Sequence, residues 1–209
     1  LSEEDTLADA ILETWFPGTR GGYGVADVLF GAYNPSAKLP VTFPRTLGQI
    51  PIYYNMKNTG RPIPDHDPHE DYKSHYLDAP NTPLYPFGHG LRYTTFEYSD
   101  VELSNDTIGF SDTLTASATI TNTGDYDGYE VVQLYVHDKV GSITRPVKEL
   151  KGFQKVFLKK GESKTVSFEL SAEDLKFYNL EEFTVEPGAF EIAIKGTSDF
   201  DFEQSFRLE

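Results

Sequence analysis

From residue 94 onward the sequence is a succession of short stretches in which apolar and polar residues alternate. Phe96 to Leu103, Leu114 to Thr121, Tyr129 to His137, Val147 to Leu158 and Thr165 to Leu170 all read this way. Phe183 to Val185 and Phe190 to Lys195 extend the series. A period of two sends successive side chains to opposite faces of a strand, so each stretch predicts a strand with one face buried. Turn signals fall between them: Asn122-Thr123-Gly124-Asp125 and Pro187-Gly188. Ser171-Ala172-Glu173-Asp174 places an acid three residues after a serine, which predicts a capped helical turn.

About seven strands with regular turns predict an antiparallel β-sandwich of the immunoglobulin or fibronectin type III kind. The sequence contains no cysteine, which favours the fibronectin type III-like variant and excludes disulfides, thiolate catalysis and Cys-ligated zinc. In the third stretch Glu130, Val132, Leu134 and Val136 share one face, and this mostly apolar set is the expected core. Tyr129, Val131, Gln133 and Tyr135 share the other.

Residues 1–93 belong to a different regime and hold most of the Pro, Gly and His. Asp9 to Phe16 is short and apolar and reads as a buried strand or the end of a helix, its length favouring a strand, and Pro17-Gly18 ends it. Gly21 to Phe30 predicts a helix, with Val25 and Leu29 on one face. Leu39 to Phe43 predicts a short strand that Pro40 confines to a sheet edge or a strand start. Strand, helix and strand in that order read as the tail of an α/β layout, too small to cover both faces of a parallel sheet. The expected architecture is thus an α/β segment over 1–93, with a long loop, followed by an all-β sandwich over 94–209. The sequence opens Leu1-Ser2-Glu3 and its one methionine is Met56, so translation is expected to have begun upstream.

Charge narrows the partners. With 18 Lys+Arg against 33 Asp+Glu the net charge is −15, and no basic run is present. That argues against nucleic acid and anionic membrane surfaces and tolerates a neutral ligand such as a sugar. No stretch approaches the ~20 apolar residues that cross a bilayer. No G-x-S-x-G nucleophile motif and no phosphate loop occurs.

Several strings occur in one order. Trp15-Phe16-Pro17-Gly18, Gly21-Gly22, Ala26-Asp27-Val28-Leu29-Phe30-Gly31, Asn34-Pro35-Ser36 and Lys38 to Pro44 come first. This series resembles the C-terminal α/β sandwich domain of glycoside hydrolase family 3. Tyr85 to Leu91, followed by Tyr93-Thr94-Thr95-Phe96, resembles that family's junction into a third domain. Asn122-Thr123-Gly124, Val131 to Val136 and Arg145 to Phe153 resemble its fibronectin type III-like domain. Tyr53-Tyr54-Asn55 and Asn58 to Pro62 are most similar to the bacterial periplasmic β-glucosidases.

The resemblance implies a retaining, exo-acting β-glucosidase that removes terminal β-D-glucosyl residues, located in the periplasm or secreted. A β-xylosidase of the same family is the alternative. Retaining chemistry uses two carboxylates about 5 to 5.5 Å apart and needs no cofactor. In the family the nucleophile is an Asp on an N-terminal barrel, and the acid/base is a Glu upstream of the Trp-Phe-Pro-Gly string. Glu3, Glu4 and Glu13 match no acid/base motif, so no catalytic residue is assigned and the isolated chain is expected to be inactive. Its implied partners are the barrel, the rest of the α/β domain, a β-glucoside or oligosaccharide substrate and a homodimeric copy. A stand-alone carbohydrate- or partner-binding module is the reading from outside the enzyme class.

Lys73, His75 and Tyr76 lie in the long loop that reaches the active-site rim in similar enzymes, so they are the substrate-rim candidates; relatives often carry Arg where His75 stands. Asp65 to Asp71, with His66 and His69, reads as a solvated acidic loop rather than a metal site. Asp27 reads as a helix-surface charge, Trp15 as core packing rather than a sugar platform, and Arg61 as a loop pin. Tyr85, Phe87, His89, Tyr93 and Phe96, with Gly88 and Gly90, read as packing at the seam between the two parts.

Overall fold

The computed structural model describes residues 1–61 and 72–209. The sandwich is present. One sheet is centred on β4 (Thr113–Asn122), which pairs with β1 (Phe96–Tyr98) and β2 (Glu102–Leu103) along one edge and with β7 (Ser163–Ser171) along the other. The second sheet has the order β3 (Thr107–Ile108), β11 (Gln204–Leu208), β10 (Gly188–Lys195), β5 (Gly128–Asp138), β6 (Glu149–Leu158). A ribbon of β8 (Phe177–Tyr178) and β9 (Phe183–Thr184) stands apart. Pairing is antiparallel except between β11 and β3. The fold is an α/β segment followed by an all-β sandwich of the fibronectin type III-like kind.

Alternation creates the core. Leu114, Ala116, Ala118 and Ile120 of β4 face Val132, Leu134 and Val136 of β5, with Ile192, Ile194, Phe206 and Leu208 beside them, all essentially without exposure. Burying a side chain of this size stabilises by roughly 1.5 to 3 kcal/mol. The pairing of β5 with β6 slips between Leu134 and Tyr135, leaving Lys151 as a bulged residue. Gly152 follows the bulge, and a Cβ there would lie 3.1 Å from the Phe168 ring. After β7, Ser171 donates through both its backbone N–H and its hydroxyl to Asp174 Oδ2 at 2.8 Å, capping the 3₁₀ turn Ala172–Leu175 as expected.

The N-terminal part departs from the reading at two points. Helix α1 (Ser2–Leu7) precedes α2 (Gly21–Leu29), and α2 falls where the periodicity placed it. Asp9 to Phe16, however, is not a strand: no neighbouring strand among the described residues gives it a ladder. Leu39 to Phe43 does not form a strand either, although it runs against 84–89. Leu39 N–H donates to the His89 carbonyl, Gly88 N–H to Leu39 and Phe43 N–H to Tyr85, at 2.8 to 2.9 Å. Pro40, Pro83 and Pro86 supply no N–H, so the ladder closes only as a bridge between Phe43 and Tyr85.

This paired segment covers the outer face of the five-stranded sheet. Tyr54 stacks on Phe87 (centroids 4.4 Å apart) and meets Tyr135 edge-on, while Phe200 closes over Tyr135 from the other side. Gln133 and Tyr135 are therefore as buried as the residues of the inner face. The set with Val132, Leu134 and Val136 is core, as expected, but it is not the only buried face of β5.

Candidate functional site

The rim candidates lie in the loop that resumes at Tyr72. Lys73 is exposed; His75 and Tyr76 are half-buried. His75 Nδ1 lies 3.1 Å from the Lys73 carbonyl, which only accepts, so that nitrogen carries the proton. The Tyr76 hydroxyl donates to the Gln49 carbonyl at 3.3 Å, and its backbone N–H donates to Asn81 Oδ1. Asn81 Nδ2 donates back to the Ser74 carbonyl. The three candidates thus share one loop, and two of them are held by it.

The anchor is Gln49, which the sequence reading missed. Its side chain is 1% exposed and fully engaged. Oε1 accepts the Arg45 and Thr46 N–H groups, and Nε2 donates to the Pro80 and Thr82 carbonyls. Arg45 Nε adds a bond to the Thr82 carbonyl at 3.1 Å. The signal was present: Thr46 followed three residues later by Gln49 is the capping-box spacing, and both box bonds form.

The seam holds the strongest electrostatics. Glu130 of β5 is 0% exposed. Its Oε1 accepts from Lys38 Nζ at 3.2 Å and from the Tyr98 hydroxyl at 2.7 Å, and the Arg92 guanidinium closes on Oε2. Lys38 also donates to the Gly196 carbonyl at 2.9 Å. A Cβ on Gly196 would sit 2.5 Å from Glu130 Oε1, so only glycine fits. Burial pushes the Lys38 ammonium below its ordinary pKa, against the pull of Glu130, and pushes the Tyr98 phenol up. Beside it, His89 stacks on Tyr85 at 5.1 Å; burial and the charges of Lys38 and Arg92 hold its pKa low. A second group inside the sandwich pairs Arg145 with Glu149 (2.8 Å) and Asp138 (3.4 Å) beneath the Phe177 ring.

These groups bind structure together rather than turn over substrate. Glu130 reaches no water and spends its charge on two cations, so it lacks the access a general acid/base needs. Tyr85, Phe87, His89 and Phe96 pack at the seam as read from the sequence, with Arg92 over the Phe96 ring at 4.9 Å. Tyr93 donates to the Val28 carbonyl. Trp15 differs from its reading: it stacks on Phe43 but remains 49% exposed, because nothing among the described residues closes over its other face. Asp27 is exposed on α2, and Arg61 accepts Ser74 N–H at its carbonyl. The acidic loop 65–71, with His66 and His69, lies outside the described residues.

Known proteins resemble this chain in sequence and in backbone. Residues 1–93 match the glycosyl hydrolase family 3 C-terminal domain, and residues 130–198 match the fibronectin type III-like domain. The chain is 54% identical over 209 residues to a periplasmic β-glucosidase of Salmonella typhimurium, covering 100% of this chain and 27% of that protein. A putative β-xylosidase of Formosa agariphila is 46% identical over 97% of this chain and 25% of its own length. A mutant β-glucosidase of Listeria innocua, solved in complex with laminaribiose, superposes with a TM-score of 0.92 at 46% identity. That match covers 99% of this chain and 29% of the solved one. The chain spans about a quarter of the length of these relatives. It belongs to glycosyl hydrolase family 3 and carries that family's C-terminal domain followed by a fibronectin type III-like domain.

Proposed function

We propose that the chain is the C-terminal portion of a retaining, exo-acting β-glucosidase that hydrolyses terminal β-D-glucosyl residues. The observation that carries this reading is the backbone agreement with the Listeria innocua enzyme, solved with laminaribiose and also with glucose. In this reading both catalytic carboxylates come from outside residues 1–209. The chain completes the domain that presents the acid/base, places Lys73, His75 and Tyr76 at the aglycone rim, and braces the assembly through its sandwich. The division falls near residue 93.

The uncovered apolar surface of the N-terminal part supports a role within a larger assembly. Neither α1 nor α2 has a buried residue, Phe16 is fully exposed and Phe30 is 88% exposed. A free-standing module of this size hides such side chains. The remaining domains are the partners that fit. The name of the Salmonella relative supports a periplasmic or secreted location. A β-xylosidase is the second reading, favoured by the Formosa relatives.

The test is the ratio of kcat/KM for 4-nitrophenyl β-glucoside and β-xyloside, measured on the full-length enzyme. Preference for the glucoside is expected. Preference for the xyloside would replace the first reading by the second, and turnover of neither would overturn both.

A further inference from the structure

A cleft of about 560 Å³ opens where the two parts of the chain meet; Arg45, Tyr54, Asn81 and Thr82, described above, stand in its lining. One wall comes from residues 42–58 and 81–86, the other from the sandwich loops at Val147-Lys148 and Ser198-Asp199. Both walls are fixed by bonds made elsewhere. Val147 N–H donates to the Met56 carbonyl at 2.9 Å, and Lys57 bridges Pro146. Lys148 Nζ donates to the Ser198 and Phe200 carbonyls at 2.8 and 2.7 Å, and Ser198 N–H donates to Phe87. On the opposite wall Arg45 is spent on Thr82. A ligand would find this cleft already formed, so little ordering opposes its binding.

The lining has a particular chemistry. Two rings line the cleft: Tyr54, braced on Phe87, and Tyr53, which is 60% exposed. Tyr53, Asn58 and Asp199 stand in the lining, and their side chains make no hydrogen bond to one another or to the rest of the described residues, although the Asp199 carboxylate lies near enough to Lys148 to act on its charge. The two cations, Arg45 and Lys148, are already committed to carbonyl groups. A phenol, an amide and a carboxylate around aromatic rings suit a ligand with many hydroxyls and an apolar C–H face. They do not suit a phosphate or another anion, which would need uncommitted cations.

We propose that this cleft binds a neutral pyranose unit of a β-glucoside, stacked on Tyr53 and hydrogen-bonded by Asn58 and Asp199. The choice of sugar rests on the function proposed above; the site itself rests on the lining.

The test titrates laminaribiose into the 209-residue chain, read by saturation-transfer NMR and by amide shifts. Saturable millimolar binding is expected, of the order that an open cleft gives a small polar ligand. Tyr53→Ala and Asp199→Asn should each weaken it roughly three- to tenfold. Both positions are exposed, and an unchanged amide spectrum of the sandwich shows that the variants remain folded. Absence of saturable binding, or binding indifferent to both substitutions, would overturn the proposal. The two readings fail separately. If the full-length enzyme cleaves β-glucosides and this chain binds no laminaribiose, the cleft proposal alone is wrong. If the chain binds and the enzyme cleaves no β-glycoside, the cleft stands and the proposed activity is wrong.

Discussion

Replacing Glu130 with alanine would leave the ammonium of Lys38 and the guanidinium of Arg92 facing each other, both largely buried, with no counter-charge. Removing one partner of a buried ion group strands the charge that remains, at about 3 to 5 kcal/mol. Glu130→Ala should therefore lower stability by that amount in urea denaturation of the chain, while Glu130→Gln, which keeps the Tyr98 bond, should cost less. His89 gives a pH dependence with a definite sign. Burial and its two cationic neighbours hold its folded-state pKa below the unfolded value, so the folded chain binds fewer protons there. Stability from this group is complete above about pH 6.5 and is lost as pH falls through the unfolded value toward the folded one. The melting temperature should drop between about pH 7.5 and 5.5, and the drop should be shallower in His89→Phe, which keeps a ring against Tyr85. Glu130 was readable only as one polar residue in an apolar set. Its partners Lys38, Arg92 and Tyr98 lie on other elements, and nothing local marks them.

At the level of elements, legibility followed the strength of the local pattern. Strand β4 alternates without a break and was read nearly to its ends. The cap at Ser171 forms from neighbouring residues alone and was read; the cap at Thr46 has the same spacing and was missed. Strand β11 escaped notice because five residues give too short an alternation, and β3 because its two residues pair in parallel with a distant segment. Asp9 to Phe16 and Leu39 to Phe43 were misread for a common reason: an apolar run reports burial or its potential, not whether a neighbouring strand offers donors and acceptors. The Asn122-Thr123-Gly124 turn was legible, but its anchor was not. Asn122 is 0% exposed. Its Oδ1 accepts the Thr94 hydroxyl and Gly124 N–H, and its Nδ2 donates to the Tyr126 and Leu158 carbonyls. One side chain thus ties the β4–β5 turn to β6 and to the seam. Asn122→Ala strands several of these groups and should cost about 3 kcal/mol, measured by the denaturation midpoint at unchanged slope.

At the scale of the molecule, the sandwich and the aromatic side of the seam were legible, and the partners they meet across it were not. The sequence placed one face of β5 in a core and could not show that Gln133 and Tyr135 are covered as well, because Tyr54 and Phe87 reach them from far along the chain. The rim candidates were found through resemblance, whereas the bonds from Gln49 to Pro80 and Tyr76 that hold their loop show only once the loop is folded. Neither N-terminal helix has a buried residue, which is in keeping with the proposal that further domains cover this part. The central claim is that this portion supplies structure and no catalytic carboxylate. Hydrolysis of 4-nitrophenyl β-glucoside by the purified 23.5 kDa chain, beside the full-length enzyme and with denaturing mass analysis of both, tests it most directly. Turnover by the full-length enzyme and none above buffer by the chain is the predicted result; turnover by a sample holding only the 23.5 kDa species would contradict it.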